Sequence, residues 1–252
     1  MIDMHCHILP GIDDGAKTEQ ESLKLLQAEK EQGIDKVVFT PHFNPERISL
    51  EKFLRVRQES YERLKAAKGF SALGMETKVG AEVFYSVRLV DMDISGLCFE
   101  NTNYVLIEFP TNVRPYGITH TVQNLIGRGY TPILAHVERY QYFTQDPTQL
   151  YDLVMLGCVA QVNAAAVVSG GSYKGVSALQ YINWELAHII CSDAHSVDDR
   201  PPNTSAAYRL VEKKLGAHYT AWLQKNSLDI FQNKFFDIPV IHKPKKFLGH
   251  WR

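Results

Sequence analysis

The sequence predicts an α/β fold: an irregular, TIM-like β/α barrel of about seven strands with a metal site at the C-terminal ends of the strands. Three observations predict it. Short β-branched runs alternate with stretches at helical spacing, seven times over, as parallel strands and crossover helices do. The runs are almost continuously apolar, as in strands covered on both faces. Residues of metal-ligand type follow the runs rather than precede them. Ligands drawn from six or seven strands meet at one point only if the sheet closes, which favours a barrel over an open doubly wound sheet.

The first run, 2–5, leads into His5-Cys6-His7. Side chains at i and i+2 share a face of an extended chain, so both imidazoles can grip one ion from one side while Cys6 points away. Asp13 and Asp14 follow in GIDDGA. Asp14 is the expected ligand, and the alternative for either residue is a helix N-terminal partner. A helix is expected over 18–32, with Thr18 and Glu21 in a capping-box arrangement, apolar Leu23, Leu25, Leu26 and Ala28, and Gly33 closing it. The run 36–41 ends at His42 and precedes a helix over 50–68. The run 77–83 ends at Glu82, a carboxylate able to bridge two ions. The run 104–109 carries Glu108, which needs a cation, metal or Arg, because a buried unpaired carboxylate is costly.

A helix over 117–128 is followed by the run 131–135, which His136 closes. A helix over 146–156, a strand over 158–163 and a helix over 174–186 come next. The run 188–192 is closed by Asp193 and His195, and a helix over 203–215 follows. SGGSYKG (169–175) fits no phosphate-binding glycine motif and reads as a loop. The stretch 237–252 reads as a basic tail, either solvated or docking on an acidic partner.

Composition narrows the function classes. A chain of 252 residues suffices for one large domain, taken as 1–252. Its net charge of −1 gives nucleic-acid binding no electrostatic support. No apolar run nears the roughly 18–20 residues of a membrane span, and the N-terminus lacks the basic start of a signal peptide, so a cytoplasmic protein is expected. Cys6, Cys98, Cys158 and Cys191 have no CxxC spacing and read as buried structural thiols. A cysteine phosphatase needs Arg six residues after its Cys, and those positions hold Ile12, Tyr104, Ala164 and Val197.

His5, His7, Asp14, His42, Glu82, Glu108, His136, Asp193 and His195 are too many ligands for one ion. With carboxylate bridging they suit two or three divalent ions, and imidazole with carboxylate suits Mn, Fe or Zn. His120, His188, His218, His242 and His250 lack the strand-end context and are assigned to surface or core. Arg139 and Arg200 stand beside ligands. Guanidinium forks match phosphate oxygens, which points to a phosphate ester substrate; the alternative is pairing with Glu138, Asp198 or Asp199.

HxH near the N-terminus, a mid-chain His, GAE, AHxER and SDxH together resemble the polymerase and histidinol phosphatase (PHP) superfamily. MIDMHCHILPGIDDGA, VGAEVFY, YVLIEFP, ILAHVERY, CVAQVNA and SDAHSVDDRPP are similar, within it, to the bacterial protein-tyrosine phosphatases of capsule and exopolysaccharide operons. The resemblance spans roughly 1–230. It implies a distorted seven-stranded barrel with a trinuclear site held by the nine residues above, most often Mn²⁺, with Arg139 and Arg200 on phosphate. It also implies an autophosphorylated bacterial tyrosine kinase as partner and attack on phosphorus by metal-bound hydroxide. The competing expectations are a small-molecule phosphatase such as a histidinol phosphatase, and a non-catalytic kinase-binding regulator.

Overall fold

The computed structural model describes residues 1–170, 177–235, 241 and 243–252. Its first half holds β1 (Ile2–Cys6), α1 (Glu19–Glu31), β2 (Lys36–Phe39), β3 (His42–Phe43), α2 (Leu50–Ala66), β4 (Glu76–Val79), β5 (Glu82–Phe84) and β6 (Tyr104–Glu108). The second half holds α3 (Ile118–Gly127), β7 (Thr131–Leu134), α4 (Gln141–Gln145), α5 (Thr148–Met155), β8 (Val159–Asn163), α6 (Ala164–Ser169), α7 (Ala178–Asn183), β9 (Ile189–Cys191), α8 (Thr204–Leu215) and α9 (Ala217–Phe231). A hairpin of β10 (Lys246–Phe247) and β11 (His250–Trp251) follows. No helix among the described residues is long and apolar enough to cross a membrane.

All strand pairs except the hairpin are parallel. A six-stranded sheet, β3-β5-β6-β7-β8-β9, curls into a half-barrel, and β1-β2-β4 form a second sheet. The expected seven runs are not reproduced as seven strands, because two of them are interrupted. The run 36–41 breaks at Thr40-Pro41, where proline brings no N–H to a ladder, and β2 and β3 then pair with different neighbours. The run 77–83 breaks at Gly80, where a Cβ would stand 2.7 Å from the Phe99 ring. The β1 and β9 ends are stitched by Asp193 N–H to the His5 carbonyl and His7 N–H to the Ala194 carbonyl, both 2.8 Å, with a bridge between Cys6 and Ala194.

The ladder of β1 slips between Asp3 and Cys6. An irregularity of this kind lets consecutive residues face one side. Met4 joins the inner apolar cluster with Val38, Leu106, Ile133 and Ile189, while His5 faces Glu82 and Asp193. Ile230 and Phe231 at the end of α9 belong to the same cluster, so α9 covers the N-terminal side of the inner core.

The remaining elements depart from expectation in instructive ways. Helix α9 was not expected, because its buried residues include Asn226, Ser227 and Asp229 and blur the apolar stripe. The expected helix 146–156 is α5, and the short α4 before it, set off at Asp146-Pro147, was not expected. Of the expected helix 174–186, the described part is α7; 174–176 and residues 171–175 of the SGGSYKG loop lie outside the described residues. The tail is not simply solvated. Ile241 is buried, Lys243 bonds Asp152 at 2.8 Å, and the Trp251 indole donates to the Gln145 carbonyl at 3.0 Å. His242 and 237–240 lie outside the described residues.

Candidate metal centre

His5 stands within β1 and Glu108 ends β6; His7, His136, Asp193 and His195 lie just beyond β1, β7 and β9; His42 and Glu82 open β3 and β5; Asp14 sits in the loop after β1; and the structure brings all nine together. Three groups offer ligand atoms within 4.8 Å of one another: His7, Asp14, His42 and His195; His5, His7 and Asp193; and His42, Glu82 and Glu108. His136 joins them through Nε2, 2.9 Å from Glu82 Oε1 and 3.5 Å from Glu108 Oε1. Glu82 is central: its Oε2 lies 3.3 Å from His5 Nε2, 3.2 Å from His7 Nε2 and 3.0 Å from His42 Nδ1. Asp14 Oδ1 lies 3.4 Å from both His42 Nε2 and His195 Nε2.

The backbone is bent to do this. His136 has φ +31° and Asp193 φ +52°, the left-handed region that non-glycine residues rarely enter. The surroundings hold both: His136 N–H donates to Gln161 Oε1 at 2.7 Å, and Asp193 N–H to the His5 carbonyl. Gly15 is required for contact, since a Cβ there would come within 1.9 Å of the His7 carbonyl.

Hydrogen bonds set the imidazole tautomers. The Gln161 oxygen is identified by the His136 N–H it accepts, so His5 Nδ1, 3.1 Å from that oxygen, must donate. His7 Nδ1 donates to Asp13 Oδ2 at 2.7 Å, and His195 Nδ1 to the Asp193 carbonyl at 2.9 Å. Three Nε2 lone pairs therefore point inward. His5 Nε2 and His7 Nε2 face each other at 3.3 Å, and His195 Nε2 and Glu82 Oε2 are buried without a hydrogen-bond partner. Acceptors converging this way repel one another unless cations sit among them. The donor set of imidazole nitrogen and carboxylate oxygen thus fits divalent metal ions.

Electrostatics agree. Burial alone would lower the His5 pKa, yet Glu82 and Asp193 outweigh it and raise it to about 9. Burial opposes ionisation of Glu82, but His5, His136 and His42 hold it well below the usual carboxylate range. His195 moves down to about 4, through burial and the His7 charge.

Asp193 links the cluster to a cleft of about 1040 Å³ lined by Arg139, Arg200, Asn163, Gln145 and Thr111 among others. Its Oδ2 accepts from Asn163 Nδ2 and Arg200 Nη2, each at 2.7 Å, and Arg139 Nη1 is 3.6 Å away. Both arginines thus meet Asp193 rather than Glu138, Asp198 or Asp199. Glu138 is half-buried with its carboxylate turned inward, accepts the Asn163 N–H at 3.2 Å, and is pushed by desolvation up to about 7.

The sequence reading missed the residues that orient the ligands: Asp13, Gln161, Asn163 and the Asp3–Ser192 pair. Asp3 accepts from Ser192 N–H at 2.9 Å and Ser192 Oγ–H at 2.5 Å, fixing the turn that carries Asp193 and His195. Two amides alternating at the end of an apolar run, Gln161 and Asn163, were the available signal. The cysteine reading agrees with the structure: all four are buried, and burial raises Cys98 to about 12 and the other three above the usual range.

The chain is similar to known proteins. A family model for capsular polysaccharide synthesis, CpsB/CapC, matches residues 1–232. The tyrosine-protein phosphatase CpsB of Streptococcus pneumoniae is 32% identical over 233 residues, 86% of this chain and 92% of its own. The tyrosine-protein phosphatase YwqE of Bacillus subtilis is 31% identical over 257 residues, 99% of each chain. A solved structure from the work on YwqE and CpsB, described as unique metal-dependent tyrosine phosphatases, superposes with a TM-score of 0.87 at 27% identity, covering 98% of this chain and 100% of that one. The phosphotriesterase homology protein of Escherichia coli, at 8% identity and a TM-score of 0.54 over 92% of this chain and 98% of its own, shares the fold alone.

Proposed function

We propose, for a chain that belongs to the CpsB/CapC family of capsular polysaccharide synthesis proteins, that it is a metal-dependent protein-tyrosine phosphatase. One observation carries this reading: nine imidazole and carboxylate ligands converge, Glu82 Oε2 and His195 Nε2 among them buried without a hydrogen-bond partner, beside a cleft holding two arginines.

In this reading His5, His7, Asp14, His42, Glu82, Glu108, His136, Asp193 and His195 hold two or three divalent ions, Mn²⁺ first and Fe or Zn as alternatives. When bound, the ions supply water activation and charge neutralisation at the phosphoryl oxygens. The chain does the rest. Arg139 and Arg200, half exposed on the cleft side of Asp193, grip the phosphate dianion and orient phosphorus for in-line displacement. Gln161, Asp13 and the Asp193 carbonyl keep three imidazoles in the tautomer that presents Nε2. A phenol of pKa ~10 leaves far more readily than an alkanol, so aryl phosphates need no protein general acid. With every thiol buried and raised, no thiolate nucleophile is on offer.

The substrate is a phosphotyrosine protein, and the partner an autophosphorylated bacterial tyrosine kinase controlling capsule or exopolysaccharide synthesis in the cytoplasm. An open cleft suits a polypeptide better than histidinol phosphate. Residues 1–252 form one PHP-type domain. Its barrel has seven staves when β2 with β3 and β4 with β5 each count once. Hydrolysis of a phosphotyrosine peptide and of histidinol phosphate, side by side in Mn²⁺ with and without EDTA, tests the reading. Chelator-sensitive turnover of the peptide is expected; turnover of histidinol phosphate alone would replace the substrate, and none of either would remove the enzyme.

A further inference from the structure

We propose that the β10–β11 hairpin docks on an anionic lipid surface. Residues 243–252 carry Lys243, Lys245, Lys246 and Arg252 and no acidic residue, in a chain of net charge −1. Lys243 is engaged with Asp152, while Lys245, Lys246 and Arg252 are exposed. Between them the turn displays two large apolar side chains, Phe247 at 54% and Leu248 at 82% exposure.

The turn makes that display deliberate. Leu248 has φ +49° and Gly249 φ +83°. Hairpin turns with both central residues left-handed favour Asn-Gly or Asp-Gly, and a leucine in the first place is strained. Nothing in the fold offsets that strain, because the side chain projects into water. The cost is recovered when the side chain enters an apolar phase.

The hairpin is also held firmly. Ile241 and Pro244 are buried, Lys245 and Arg252 exchange backbone bonds of 2.9 Å, and Trp251 is tied to the Gln145 carbonyl. A preorganised root lowers the entropy lost on docking. An apolar tip flanked by cations on both strands matches headgroup charge above hydrocarbon. Gln145 also lines the cleft, so a docked hairpin holds the cleft mouth beside the membrane.

The test is co-sedimentation of the full chain with phosphatidylcholine vesicles, with and without phosphatidylglycerol, at physiological ionic strength. Binding is expected only to the anionic vesicles and should weaken with added salt. The double variants K245E/K246E and F247S/L248S should each weaken it about tenfold or more, with the melting temperature unchanged. No preference for anionic vesicles overturns the proposal, as does wild-type binding by both variants. Binding to polyglutamate that K245E/K246E abolishes and F247S/L248S spares, without vesicle binding, would make the surface a polypeptide site and overturn it too.

Discussion

The two ends of this barrel follow opposite rules. At the N-terminal end of the strands, Ile2, Met4, Val38, Leu106 and Ile133 pack together and Ile230 and Phe231 cover them. At the C-terminal end, nitrogen and oxygen atoms crowd together and two non-glycine residues sit in left-handed conformations. Two buried histidines measure the contrast. Burial alone lowers His188 to about 3, whereas the charges of Glu82 and Asp193 carry His5 up to about 9 against burial. One end is complete as a folded core, and the other becomes tolerable when cations join it. Stability and function are thus separated along one set of strands.

Breaking the upper end should have the largest effect. His136→Ala should remove activity and lower metal content; retained turnover at full metal loading would refute the site. Gln161→Leu removes the acceptor that fixes the His5 tautomer, and metal affinity should fall about 10–100-fold. A titration showing unchanged affinity would mean that Gln161 only supports the backbone. At the lower end, Phe231→Ala should cost about 3–5 kcal/mol in denaturant unfolding, with turnover per folded molecule near wild type. Arg139→Ala should raise the KM for a phosphotyrosine peptide about tenfold, the scale of one charge-assisted hydrogen bond, with metal retained. Metal loss there would instead make Arg139 a brace for Asp193.

The smallest effects concern pH. His188 binds its proton in the unfolded chain near pH ~6.5 but in the folded chain only near 3, so stability falls as pH drops below ~6.5. For His5 the sign reverses. Its contribution is complete below ~6.5 and lost as pH rises through about 9. The melting temperature of metal-free protein should therefore decline on both limbs. His188→Asn, whose amide oxygen can take the Ala160 N–H that His188 Nδ1 accepts at 2.9 Å, should make the acid limb shallower, with the part owed to His195 remaining, and leave the alkaline limb unchanged.

The ligand residues were readable because a charged side chain at the end of an apolar run has few other uses; Glu82 and Asp193 stood out for that reason. Their supports were harder to read. Gln161 and Asn163 are uncharged and sit inside β8, where they pass for ordinary strand residues. The left-handed backbone at His136 and Asp193 leaves no mark in residue type. The slip in β1 breaks alternation, so period-two reasoning could not place Met4 and His5 on one side. The hairpin escaped because Leu-Gly is a poor turn signal, and α9 because its buried face is partly polar.

The seam between β1 and β9 would give a bound ion a second task. His5 and His7 stand on one side of it, Asp193 and His195 on the other, and a few backbone bonds join the two. A cation shared across that seam would act as a rivet between segments nearly the whole chain apart. Ribosomal synthesis must deliver residue 195 before a rivet of that kind could form. Bound metal then stabilises by mass action, about 2.7 kcal/mol at a hundredfold excess over Kd. The stability of that seam would then track the free metal concentration of its surroundings.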